Sequence, residues 1–127
     1  MEIKERSFAN PNASPISSAK QIVVKAYIEI ARDKVAEGRF YLSHHAQIER
    51  GQEKIRIDDI VAAILNGQEL EPYPDDPRGE SCLIVGQGLD YGWIHVLCGN
   101  FYEKDLLIIT VYIPKPPKWE DPFTRRV

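Results

Sequence analysis

Three histidines, His44, His45 and His95, are the side chains of this sequence that change charge near neutral pH. His45 and His95 are the natural candidates for giving or taking a proton. His95 lies in WIHVLC, residues 93–98, which alternates as a strand does. That alternation puts Trp93, His95 and Leu97 on one face and Ile94, Val96 and Cys98 on the other. The run LLIITVYI, residues 106–113, reads the same way. It predicts Leu107, Ile109, Val111 and Ile113 on one face, and Leu106, Ile108, Thr110 and Tyr112 on the opposite one. The all-aliphatic sets are expected to pack against helices. Trp93, His95, Thr110 and Tyr112 are then left on a second, mixed face. A loop of about six residues between the strands would set His95 opposite Thr110 and Trp93 opposite Tyr112. Such a face suits a ligand. The same residues also fit a half-exposed sheet by propensity alone.

A second candidate is Arg78, in YPDDPRGESCLIVG, residues 73–86. The guanidinium fork suits a carboxylate or a phosphate. Asp75, Asp76 and Gly79 are turn formers and Pro74 and Pro77 stiffen the path, so the stretch is first a corner feeding a strand. A bond from Arg78 to Asp75 or Asp76 would lock that corner and account for the arginine without a ligand. The C-terminal KPPKWEDPFTRRV carries Lys115, Lys118, Arg125 and Arg126 against Glu120 and Asp121. If this tail folds over the mixed face it brings positive charge to His95. His95 and Cys98 point to opposite sides of a strand, and His44 and His45 diverge on a helix. No compact zinc spacing exists, so no metal is expected, and no glycine-rich loop implies a cofactor.

The elements that must position these residues follow from periodicity. The chain has 127 residues and a formal net charge of −3, so it is one domain's length and lacks the basic field of a broad nucleic-acid binder. Residues 1–17 read as a flexible arm, 18–119 as one domain, and 120–127 as a tail. A helix is expected from 18 to 37, capped by Ser17 or Ser18, with Ile22, Val23, Ala26, Tyr27, Ile30 and Ala31 on one face. Phe40–Leu42 is a short extended link. Ser43 caps a second helix that ends near Gly51, and a third opens at Asp58 and Asp59 and stops at Asn66-Gly67. Strands are expected at 69–73, 81–86, 93–98 and 106–113, the first at an edge because of Pro72. The tail is too proline-rich to continue either element. The result is an α+β fold with N-terminal helices on one face of a four-stranded antiparallel sheet. The N-terminus has no apolar signal-like core, and Cys82 and Cys98 are expected reduced and buried, which fits a cytoplasmic protein.

The string LSHHAQIERGQEKIRIDDIVAAILNGQELEPYPDDPRGESCLIVG, then WIHVLC and LLIITVYIPKPPKW, resembles the bacterial domain-of-unknown-function 4258 family. The resemblance rests on Ser43, His45 and Ala46; on Arg78, Gly79, Ser81 and Cys82; on His95; and on Thr110 and Tyr112. The family is similar to RelE- and MqsR-like toxin ribonucleases. The resemblance therefore implies a RelE-like fold and the toxin half of a toxin–antitoxin pair, with RNA as substrate and an antitoxin protein as partner. RNA cleavage through the 2′-hydroxyl needs a base, an acid and positive charge at the phosphate. His45, His95 and Tyr112 would supply the catalytic groups. Arg78, Trp93, Thr110, Arg125 and Arg126 would hold the substrate, with Trp93 stacking on a base. Glu49 and Glu53 stand where family members carry arginines. The alternative is a non-catalytic protein-binding module on the same fold, which the net acidity and those two glutamates favour.

Overall fold

The computed structural model describes residues 25–90 and 92–127. The expected arm and the first turns of the expected first helix, including Ser17, Ser18, Ile22 and Val23, lie outside the described residues. Helix α1 is Tyr27–Ala36, with Ala26 as an extended N-cap, so residues 25–26 are not helical as expected. Ala31 and Val35, one turn apart, are buried. Gly38 ends this segment with φ +73°, a conformation open to glycine.

Phe40–Leu42 is strand β1 rather than a link. It pairs in parallel with the start of β5, Leu106–Tyr112, setting Phe40 beside Leu106 and Leu42 beside Ile108. Three residues carry no readable alternation; the neighbouring strand imposes their order. Helix α2 is His44–Glu53, and the Ser43 hydroxyl accepts from Ala46 N at 3.0 Å as the sequence predicts. Helix α3 is Ile57–Asn66, where Ile60, Ala63 and Ile64 form the buried stripe. Its first turn is fixed by Asp59, whose carboxylate accepts from Arg56 N at 3.0 Å, Leu89 N at 2.8 Å and Asp90 N at 3.2 Å.

Strands β2 (Gln68–Tyr73), β3 (Ser81–Gln87) and β4 (Trp93–Gly99) follow. The sheet order is β1-β5-β4-β3-β2. The sheet is thus five-stranded and mixed, where four antiparallel strands were expected. All pairs but β1–β5 are antiparallel, and β2 takes one edge.

Two further expectations are corrected by the register between β4 and β5. The register pairs His95 with Tyr112 and Leu97 with Thr110, then slips so that Cys98 meets Ile108. His95 therefore does not face Thr110, nor Trp93 Tyr112. Ile109 is the extra residue of a bulge, which reverses the alternation along β5. Leu106, Ile108 and Val111 are the core residues, while Leu107 and Ile109 are only half-buried.

The inner face of the sheet packs Cys82, Ile84, Ile94, Val96, Cys98, Leu106, Ile108 and Val111 against Ala31, Val35, Ala46, Ile60, Ala63 and Ile64. Helix α3 approaches so closely at Gly86 that a Cβ there would lie 1.9 Å from Ala63 O. Cys82 and Cys98 sit side by side across the strands as free thiols, and burial pushes both above the ordinary thiol range. No helix among the described residues is long and apolar enough to cross a membrane.

The tail also departs from expectation. It forms a hairpin of β6 (Trp119–Asp121) and β7 (Thr124–Arg125). Pro114, Pro116 and Pro117 precede it and Pro122 lies between its strands, so neither strand loses a donor to proline. This hairpin lies across the outer face of the sheet.

Candidate functional site

The outer face gathers Ser81, Leu83 and Val85 from β3, Trp93, His95 and Leu97 from β4, and Thr110 and Tyr112 from β5. It divides into a half roofed by the C-terminal hairpin and a half left open.

His95 is at the centre of the roofed half and is fully buried. Its Nε2 lies 2.6 Å from the Pro122 carbonyl and its Nδ1 3.1 Å from the Tyr112 hydroxyl. A carbonyl only accepts, so Nε2 carries the proton and Nδ1 accepts from Tyr112. Burial is the main cause of a lowered His95 pKa; the hydrogen bond to the Pro122 carbonyl and the charge of Glu71 oppose it, and the positive charges of Arg125 and Lys118 add to it. Burial also raises the Tyr112 phenol. A neutral imidazole with both nitrogens engaged has no proton site open to a ligand while the hairpin is seated.

Trp119 is the anchor of that roof. It is 2% exposed and meets His95 edge-on, with ring centres 4.4 Å apart. Arg125 lies 4.6 Å over the indole and pairs with Glu71 through two hydrogen bonds of 2.6 and 3.1 Å. That pairing is the leading cause of a lowered Glu71 pKa. Phe123 packs edge-on against Trp93 at 4.8 Å, leaving Trp93 partly exposed. The Trp119 Nε1–H is buried and makes no well-formed hydrogen bond among the described residues, though it interacts with the Tyr112 hydroxyl and opposes the rise of that phenol.

The other predicted residues are dispersed. His45 is exposed on α2 and faces Glu49 at 3.2 Å; no hydrogen bond or ion pair joins it to His95. Arg78 is held by Asp76, through its Nε and Nη2 at 3.2 Å each and its backbone N at 3.0 Å. With the Ser81 hydroxyl added at 3.0 Å, these bonds bring Asp76 down to about 2. Thr110 is half-buried opposite Leu97. Arg126 donates its backbone N–H to Lys118 O at 2.8 Å, and its side chain is exposed at the hairpin root. The structure thus joins His95, Tyr112, Trp93 and Arg125 through the hairpin and leaves His45, Arg78 and Arg126 outside that cluster.

Glu49 and Glu53 have a definite place. Helix α2 runs along the part of the β5 edge that β1 leaves uncovered. Glu49 accepts from Val111 N at 3.1 Å and Glu53 from Ile113 N at 3.3 Å. Ser43 donates to Ile109 O at 2.8 Å on the same edge. Carboxylates do here what a neighbouring strand would do, and an arginine, having no acceptor, would not.

The open half carries a groove of about 660 Å³ lined by Tyr73, Pro74, Pro77, Arg78, Ser81 and Leu97. Beyond Arg78 lies a smaller hollow of about 180 Å³ that includes Gly99, Asn100, Leu107 and Ile109. Among the described residues, no group of three or more histidine, cysteine or acidic side chains converges to hold a metal. Sequence reasoning missed Glu71, Trp119 and Pro122. The available signal was a tryptophan inside a polar, proline-rich tail, a residue that pays for exposure unless something covers it.

Residues 42–113, more than half of the chain, match the family described as a domain of unknown function, DUF4258, and the chain belongs to that family. No curated protein and no solved structure matches it.

Proposed function

We propose that this chain is a non-catalytic protein-binding module that presents the outer face of its sheet to a partner protein. The observation that carries this reading is the state of His95: buried, with both ring nitrogens hydrogen-bonded. Arg78 and Arg125, the other charges a phosphate would need, are each committed to a carboxylate. His45, the second acid/base candidate, lies 3.2 Å from Glu49, away from that cluster. What remains accessible on the outer face is a groove whose tyrosine, proline and leucine walls are rimmed by Asp75, Asp76 and Arg78, a mixed lining that suits a protein or peptide.

A toxin-like ribonuclease with a RelE-like fold is the second reading. It is favoured by the His95–Tyr112 hydrogen bond in the middle of the sheet, beside Arg125. The test is induced expression in a bacterial host, wild type beside His95→Gln, following growth and mRNA integrity. The module reading expects normal growth and intact mRNA in both. It also expects a partner co-purified from the native host to be lost in a folded Leu97→Glu variant. Growth arrest with mRNA loss, relieved by His95→Gln, would overturn it in favour of the ribonuclease.

A further inference from the structure

We infer that the roofed half of the outer face is itself a binding site, and that the C-terminal hairpin is its built-in occupant, displaced by a partner segment that presents a tryptophan and an arginine side by side. This rests on the binding-module reading and names the partner's chemistry.

The hairpin sits on the sheet as a ligand sits in a site. Of residues 114–127, Trp119 alone is buried. Its contacts with the sheet are few and chemically specific. An indole lies against the His95 ring, a backbone carbonyl takes the His95 Nε2–H, and a guanidinium is clamped by Glu71. Those three features of the site (imidazole N–H, apolar floor and carboxylate) specify an aromatic anchor, an acceptor and a cation.

The occupant is also poorly bound for a permanent part of the fold. A two-stranded hairpin of three and two residues has no stability of its own. The buried Trp119 Nε1–H makes no well-formed hydrogen bond, its interaction being with the Tyr112 hydroxyl, and a segment offering a better-placed acceptor would improve on it. Lys118 and Arg126 are paired across the hairpin by a backbone bond, so two cations stand opposite each other at its root. The covalent link to β5 compensates: a tethered segment acts at an effective concentration of about millimolar. A partner must exceed that, or the tethered contacts must weaken.

The experiment uses the full chain and a labelled peptide of its own residues 115–127 as probe. Fluorescence anisotropy compares wild type with Trp119→Ala, which loosens the tethered occupant and leaves the site intact. The peptide is expected to bind Trp119→Ala at least tenfold more tightly than wild type. Alanine for tryptophan in the peptide, or Glu71→Ala added to the chain, should abolish that gain. A variant that only lost a structural contact would gain no affinity. Equal binding to wild type and Trp119→Ala, or binding indifferent to the peptide's tryptophan, overturns the proposal. Should Trp119→Ala fail to fold, amide exchange on wild type decides. Arg126 N–H is expected to exchange at least a hundredfold faster than the β3 and β4 amides, and exchange of all of them together would overturn the proposal. Failure here, with a partner still held through Leu97, removes this site alone. His95-dependent RNA cleavage removes the module reading itself.

Discussion

Both faces of this sheet bury side chains, but what buries them differs. The inner face is covered by three helices with aliphatic contacts, and Gly86 lets α3 approach the strand backbone closely. Only half of the outer face is covered, by a short hairpin one tryptophan deep that is held by hydrogen bonds and an ion pair. Aliphatic burial is indifferent to pH and has no partner to lose. The outer contacts depend on protonation state and on a tethered segment staying in place. Burial alone therefore does not say which residues hold a fold together.

The sharpest way to break this contrast is to truncate each side. Ile60→Ala on the inner face should cost about 2–5 kcal/mol, the range for a large-to-small change in a helix-packed core. Trp119→Ala removes a larger side chain, yet should lower the denaturation midpoint by far less, because the hairpin opens separately from the core. Equal losses, read by urea unfolding followed by circular dichroism, would make the hairpin part of one cooperative unit. A comparably large effect is expected from Gly86→Ala, where the new methyl meets backbone rather than a movable side chain.

Acid should separate the faces next. The His95 pKa is lowered in the fold, so the folded chain favours the neutral ring. The stability this contributes is present above the unfolded histidine value and is lost as pH falls through the lower folded value. Glu71 is also lowered, so its share is present above the unfolded carboxylate value and is lost only at still lower pH. Hairpin amide exchange should accelerate as pH drops from 7 toward 5 relative to the β3 amides, and His95→Gln should flatten that response. A wild-type profile with no such step would contradict the assigned neutral tautomer.

The smallest expected effect concerns the sheet edge. Glu49→Gln keeps an acceptor for Val111 N and should cost little. Glu49→Leu leaves that amide without its partner and should cost about 1 kcal/mol by the same unfolding measurement.

How much of this was legible in the sequence varies by element. Ser43 announced the start of α2, and the Ile57, Ile60, Val61 and Ile64 spacing announced α3, because caps and helical stripes are local. Leu106–Ile113 was legible as a strand but not in phase. Nearly every residue in it is apolar, so one extra residue at Ile109 exchanges the faces without leaving a trace in the pattern. β1 is shorter than any period. Trp93, His95 and Tyr112 were correctly grouped on one face because two of them share a strand, while the two-residue register error came half from that bulge and half from the length of the turn before it. The seating of Trp119 on His95 joins residues 24 apart in sequence through three-dimensional packing, which no local signal encodes.

The carboxylates on the β5 edge have a consequence for how this chain behaves in company. Exposed strand edges are where folded proteins stick to one another and where fibrils begin. Here β1 occupies the first part of that edge, and Glu49 and Glu53 take up amides Val111 N and Ile113 N beyond it. A foreign strand arriving there meets helix α2 and finds those donors already taken. The two glutamates thus make the chain self-limiting on that side, and a concentrated solution of a Glu49→Arg, Glu53→Arg double variant is where cross-strand association between molecules would first be seen.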